Sequence, residues 1–352
     1  MVIFLLSLSC CVFFGDAEND YSIRRFLTNS WNEVDGAADW SARRYHTSVV
    51  YDNKIYVMGG DGGGIRHDVW SSGDGGATWI EVTGAAAWTG RQQHSSVVYN
   101  NKIYVMGGVD NNIFQNNVWS SGDSGSTWTW LSGAGGWSAR SLHTSVVYDN
   151  EIYVMGGNDG STNLNDIWTS ANGGISWTEV TGAAGWSARV QHTSVVCNNK
   201  IYVMGGVDDT GYLNDVWSSG DGSTWNLVTD AAGWSRRQLH TSVVYNSEIY
   251  VMGGTDGGFV NDVWSSPDGV SWMQATGATD WGVRGYHSSV VYNNKIYVMG
   301  GSNGTVFLND VWSSGDGPPS MVSKSTSDAV VRTWVCGHLA VLACVVVNLI
   351  RN

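Results

Sequence analysis

One segment, His-(Thr/Ser)-Ser-Val-Val, returns six times, starting at His46, His94, His143, His192, His240 and His287. The steps between copies are 48, 49, 49, 48 and 47 residues. A unit of that length cannot bury a core alone and has to stack on its neighbours. Each copy runs on to Ile-Tyr-Val-Met-Gly-Gly, ending at Gly60, Gly108, Gly157, Gly206, Gly254 and Gly301. A (Val/Ile)-Trp pair follows, at Trp70, Trp119, Trp168, Trp217, Trp264 and Trp312, and five copies add a further Trp, at Trp79, Trp128, Trp177, Trp225 and Trp272. Length alone would suggest two domains, but the repeat makes the body one array.

Every segment within a copy reads as strand. Val-Val-Tyr and Ile-Tyr-Val-Met are β-branched and aromatic runs of strand length. Between them stand Asp52-Asn53, Asn100-Asn101, Asp149-Asn150 and their equivalents, residues that tolerate positive φ and favour two-residue hairpins. The Gly-Gly doublet marks a close approach of backbones. Four short strands in about 48 residues predict the blade of a β-propeller. The sixth copy reaches Trp312 and then meets Gly317-Pro318-Pro319, where its fourth strand should begin; Pro has no N–H for a ladder. Ser30-Trp31-Asn32-Glu33-Val34 resembles the fourth-strand start Thr78-Trp79-Ile80-Glu81-Val82. The expected fold is therefore all-β: a six-bladed β-propeller of four-stranded blades over residues 30–316, closed by an N-terminal strand that completes the last blade and leaves no sheet edge.

These hydrophobic runs, glycine doublets and spaced tryptophans resemble the kelch repeat, from Trp31 to about Asp316. The central domain of galactose oxidase is similar. A second resemblance overlays it. Ser72-Gly73-Asp74-Gly75-Gly76-Ala77-Thr78-Trp79 is similar to the Asp box of sialidase-type propellers, as is Ser121 to Trp128. Ser170 to Trp177 carries Asn172 in place of the Asp, and the copies at Asp221 and Asp268 are one residue shorter. The expected role of the box Asp is to hold turn N–H groups while its Trp packs under the blade.

If the first strand of a blade starts on the top face, the Asp-Asn turns and Asp boxes lie underneath, and the loops after Gly-Gly and the inter-blade linkers lie on top. The linkers repeat Trp-x-x-Arg-x-x-His six times. In kelch propellers arginines of these linkers can face a ligand, so the resemblance nominates Arg43, Arg91, Arg140, Arg189, Arg237 and Arg284; the competing reading is packing between blades. Phe114, Tyr212, Phe259 and Phe307 occupy loops after Gly-Gly, where they would stack on a sugar, anchor a protein or fold over their own blade. Asn303-Gly304-Thr305 is a glycosylation sequon in the same loop set. Six histidines around a propeller are too far apart for one ion, so no metal and no cofactor is expected.

Composition narrows the function. A formal net charge of −13 with only 18 Lys+Arg argues against a nucleic-acid partner. No catalytic residue is nominated: near-identical blades fit poorly with chemistry that needs different residues converging on one point. The expectation is a binding module, taking a protein or glycan on its top face. A sialidase-like glycosidase, a galactose-oxidase-like enzyme and an intracellular kelch scaffold are the alternatives. Residues 2–14 form an apolar run before Gly15-Asp16-Ala17 and read as a secretory signal over residues 1–17. A polar linker, 317–333, precedes an apolar tail, 334–350. That tail fits a lipid-anchor signal, with Ser323 or Ser325 as attachment points, or a short membrane span. Both ends point to the secretory pathway and a membrane-anchored, monomeric propeller at the cell surface. Of the 5 Cys, only Cys197 lies in the body, so no disulfide is expected there.

Overall fold

The hairpins form where two consecutive side chains accept a left-handed backbone. Asp52 and Asn53, with their five equivalent pairs, have φ between 44° and 62°, the two-residue turn that matches the natural twist of the flanking strands. In the first blade this turn joins Thr47–Tyr51 to Lys54–Asp61, with Val49 opposite Tyr56 and Tyr51 opposite Lys54. The second strand then pairs with Ile65–Ser72, and that with Ile80–Thr83. The ladder shifts by one residue between Met58 and Gly60. Gly60 has φ +95°, and a β-carbon there would lie 2.7 Å from the Arg44 carbonyl, which is why a glycine stands at this point of every copy.

The structure, a computed structural model, describes residues 30–132 and 136–315. The expected signal (1–17), polar linker (317–333) and apolar tail (334–350), with Ser323 and Ser325, lie outside the described residues. Six four-stranded antiparallel sheets recur in chain order. The sixth consists of Ser288–Tyr292, Lys295–Ser302, Phe307–Ser314 and, as its outer strand, Trp31–Asp35. Trp31 faces Ser314 and Glu33 faces Trp312 in that ladder. The N-terminal strand therefore completes the last blade, as the truncated sixth copy predicts. Each innermost strand neighbours those of the two adjacent blades, which makes a closed ring of six.

The cores lie between blades. Trp40, Ile55, Val57 and Trp79 of the first blade pack with Tyr292, Tyr297, Met299 and Val311 of the sixth, and the other interfaces repeat this set. Trp40 meets Trp79 edge to face at 5.9 Å, and the five other pairs lie at 5.8–6.0 Å. Such pairs contribute about 0.5–1.5 kcal/mol each beyond their buried area.

The box turns close the other end of the first five blades. Asp74 accepts hydrogen bonds from Ser72 Oγ, Thr78 N and Thr78 Oγ1, while Trp79 Nε1 donates to Gly76 O at 3.1 Å. The shorter turns keep the device by reaching less far. Asp221 accepts from Ser223 N and Thr224 N, and Asp268 from Val270 N and Ser271 N. Beside them, Tyr51, Tyr99, Tyr148, Tyr245 and Tyr292 each donate to a turn carbonyl of the next blade at 2.8–3.1 Å. In the fourth blade the buried Cys197 thiol takes that place, 3.5 Å from Ser247 O.

Candidate functional site

The linker motif folds inward. In Trp-x-x-Arg-x-x-His the Trp, Arg and His side chains are all buried. Arg43 donates from Nε to Ser41 O, from Nη1 to Gly59 O and Asp68 Oδ1, and from Nη2 to Ser41 Oγ and Asp68 Oδ2. Arg140, Arg189, Arg237 and Arg284 repeat the bidentate grip on Asp166, Asp215, Asp262 and Asp310, at 2.5–2.8 Å. Each guanidinium also lies over its own linker Trp, 5.6–5.9 Å from the ring centroid. These five nominated arginines thus hold linker to blade, with their donors engaged internally and no face turned to solvent. The carboxylate that holds each one stands two residues before the (Val/Ile)-Trp tryptophan, a pattern present in the sequence at a spacing of 25 or 26.

The second blade departs from this pattern. Asn117 stands where the others carry Asp, and Thr89 where four of them carry Ser. Arg91 Nη1 donates to Gly107 O and Asn117 Oδ1, but its buried Nη2 has no partner, and neither has the buried Trp119 Nε1. Burial lowers the Arg91 pKa to about 10, against the opposing pull of Asp110.

The six histidines form a second ring, nearer the axis. Their Nε2 atoms each meet a Ser or Thr hydroxyl of the preceding blade at 2.8–3.2 Å. Burial, reinforced by the linker arginine, holds His46, His143 and His240 near pKa 3 and the other three well below the usual histidine value. They are neutral structural groups. Among the described residues no cluster of three or more His, Cys, Asp or Glu is arranged to hold a metal ion.

Between the buried Arg and His of each linker stand two further positions. They are the variable part of the motif: Arg44-Tyr45, Gln92-Gln93, Ser141-Leu142, Val190-Gln191, Gln238-Leu239 and Gly285-Tyr286. The first of each pair bridges to the loop hairpin of its own blade, as Arg44 does to Asp61. The second lies at the axis with φ 56–61°. Tyr45, Gln93, Leu142, Gln191, Leu239 and Tyr286 form a closed circle of backbone hydrogen bonds, each N–H donating to the carbonyl of the preceding blade at 3.0–3.4 Å. Their side chains surround a depression of about 180 Å³. Tyr45 and Tyr286 make one side of it aromatic, and Phe259, Arg44 and Phe307 lie beside them outside the lining. Tyr45 and Tyr286 pack edge to face at 4.5 Å, Phe259 lies 6.0 Å from Tyr286, and Arg44 sits over Tyr45, Tyr286 and Phe307. Burial, aided by Tyr286, pushes the Tyr45 hydroxyl well above the ordinary phenol range. Sequence reasoning passed over the ring residues, although variation inside an otherwise repeated motif was the signal for them.

The loop aromatics are half-buried, and Phe114, Phe259 and Phe307 lean on the next blade. A β-carbon at Gly160 would lie 3.0 Å from Phe114, and one at Gly304 would lie 2.9 Å from Phe259. Tyr212 is likewise half-buried, opposite Val207 in its hairpin. Asn303 is exposed and accepts the N–H groups of Thr305 and Val306.

Two family models match the chain. The KLHDC2/KLHL20/DRC7 Kelch-repeats domain covers residues 11–157 and 126–276, and the Kelch motif covers residues 284–313. No individual curated protein matches.

Proposed function

Because the chain belongs to the kelch-repeat family, whose propellers generally bind proteins and mostly lack enzymatic activity, we propose that it is a non-catalytic interaction module whose contact surface is the axial depression and the loops around it. One observation carries the reading. The linker Trp and Arg of every copy are buried, whereas Tyr45, Gln93, Leu142, Gln191, Leu239 and Tyr286, which differ from blade to blade, line the depression together with the six histidines. A fold that needs only the first set leaves the second set free to discriminate between partners.

The chemistry of the depression favours a protein segment. Its aromatic side, Tyr45 and Tyr286, adjoins Phe259, Arg44 and Phe307 just outside the lining, and suits an apolar or aromatic anchor. Gln93 and Gln191, on other blades, offer amide groups to a backbone. Stacking on the same aromatics is also the basis for glycan binding. On the strength of the apolar run at residues 2–14 and the apolar tail, the propeller acts at the cell surface after passage through the secretory pathway, as a monomer, with Asn303 as a glycosylation site.

The test is a comparison of variants on arrays of cell-surface proteins and glycans. Tyr45→Ala with Tyr286→Ala is expected to weaken a bound partner at least tenfold, while Lys102→Glu, on the opposite face, leaves binding unchanged. Equal binding by both variants overturns the axial site. Binding confined to glycans overturns the protein-segment reading. Phospholipase release of the chain from intact cells checks the lipid anchor.

A further inference from the structure

Five blades display the same small receptor. Two donors, the linker arginine Nη2 and the Nε1 of the (Val/Ile)-Trp tryptophan, converge on a single carboxylate oxygen. In the first blade the distances to Asp68 Oδ2 are 2.7 Å from Arg43 and 2.9 Å from Trp70. In the third blade Asp166 Oδ2 is 2.7 Å from Arg140 and 2.8 Å from Trp168. These carboxylates are not sealed: the five Asp side chains keep 13–16% of their surface.

The second blade has the donors without the acceptor. Asn117 uses its oxygen for Arg91 Nη1 and turns its amide nitrogen to Gln115 Oε1 at 2.9 Å. Gln115 itself is anchored through Nε2 to Ile113 O, so the amide orientation is set by both neighbours. Arg91 Nη2 and Trp119 Nε1 are left buried and unpartnered. Arg91 is 0% exposed. Asp110 acts on Arg91 only from a distance, and a buried guanidinium with no carboxylate in contact, next to a second bare donor, is strongly disfavoured.

We propose that the second blade binds a small monovalent anion, a carboxylate or a halide, between Arg91 Nη2 and Trp119 Nε1, in the role that Asp plays within the other blades. Asn117 itself fills the place that Asp takes in the other blades, so the ligand is a free anion small enough to sit beside Asn117 against the two donors. Its charge neutralises Arg91, and its lone pairs satisfy both donors. The site is independent of the axial depression, since neither Arg91 nor Trp119 lines it.

The experiment is thermal unfolding of the full chain at constant ionic strength, with sodium formate or sodium chloride replacing sodium isethionate. The wild type is expected to gain roughly 2–4 °C in Tm and then saturate, as for any ligand bound only by the folded state. Asn117→Asp, which supplies the missing carboxylate internally, is expected to start higher and to show no anion response. A rise with formate alone assigns a carboxylate site and a rise with chloride alone a halide site. The same slope in both proteins, or no rise in the wild type, overturns the proposal. Crystals grown in bromide give an independent reading. An anomalous peak within hydrogen-bond reach of Arg91 Nη2 and Trp119 Nε1 supports the site, and bromide found only at the protein surface overturns it.

Discussion

At the scale of single residues, the six buried histidines set the response to acid. Their folded-state pKa values are depressed, to about 3 for His46, His143 and His240, whereas the unfolded chain titrates near 6.5. Between these values the unfolded state holds protons that the folded state does not, so stability rises with pH. The stabilisation is complete above about pH 6.5 and is lost as pH falls towards 3. Unfolding at pH 5 is expected to take up about six protons, one per ring histidine. Calorimetry in buffers of different ionisation enthalpy measures that number, and a Tm unchanged between pH 7 and 5 contradicts the ring. The carboxylate partner of each arginine is open to a similar test. Asp166→Asn strands Arg140 in the way Asn117 strands Arg91, and is expected to cost about 3–5 kcal/mol in denaturant unfolding.

At the scale of elements, the first five blades are each tied at both ends by short-range devices. The box turn is one. Asp123 accepts from Ser121 Oγ, Thr127 N and Thr127 Oγ1, so Asp123→Ala leaves Thr127 N without its partner. Most of the side chain is exposed, and water replaces part of what is lost. The expected cost is about 1–2 kcal/mol, read as a shift in denaturant midpoint without a change in slope. Such turns were legible in the sequence because all their partners lie within four residues of the Asp. The glycine doublet was legible too, since a strained backbone leaves its mark at one position. The Arg–Asp lock was harder, because its two halves sit 25 or 26 residues apart on different strands. Only the fivefold coincidence of Asp before (Val/Ile)-Trp betrays it. The axial role of Tyr45 or Leu142 was hidden further, since chemically unlike side chains share one backbone position there.

At the scale of the whole molecule, stability depends on one strand. Trp31–Asp35 supplies the outer edge of the sixth blade, and Trp31 packs edge to face on Trp281 at 5.9 Å. Trp31→Ala is expected to cost about 3–5 kcal/mol. Deleting residues 30–36 exposes Phe307–Ser314 as an unpaired edge, which promotes strand pairing between molecules. Size-exclusion chromatography of the deleted chain should show dimers or larger species; a monomer as stable as the full chain would show that the strand is dispensable.

The circle of backbone hydrogen bonds at the axis has an electrical consequence. Every one of its six N–H to carbonyl bonds points around the ring in the same sense, from each blade back to the one before. Dipoles laid head to tail round a closed hexagon sum to zero in its plane. A helix terminus differs, because there the aligned peptides leave a partial charge at the end. The mouth of this propeller therefore carries no polarity of its own from that circle. Any preference for the charge of an incoming group must come from the side chains mounted on it, so one backbone can serve binding surfaces of either sign.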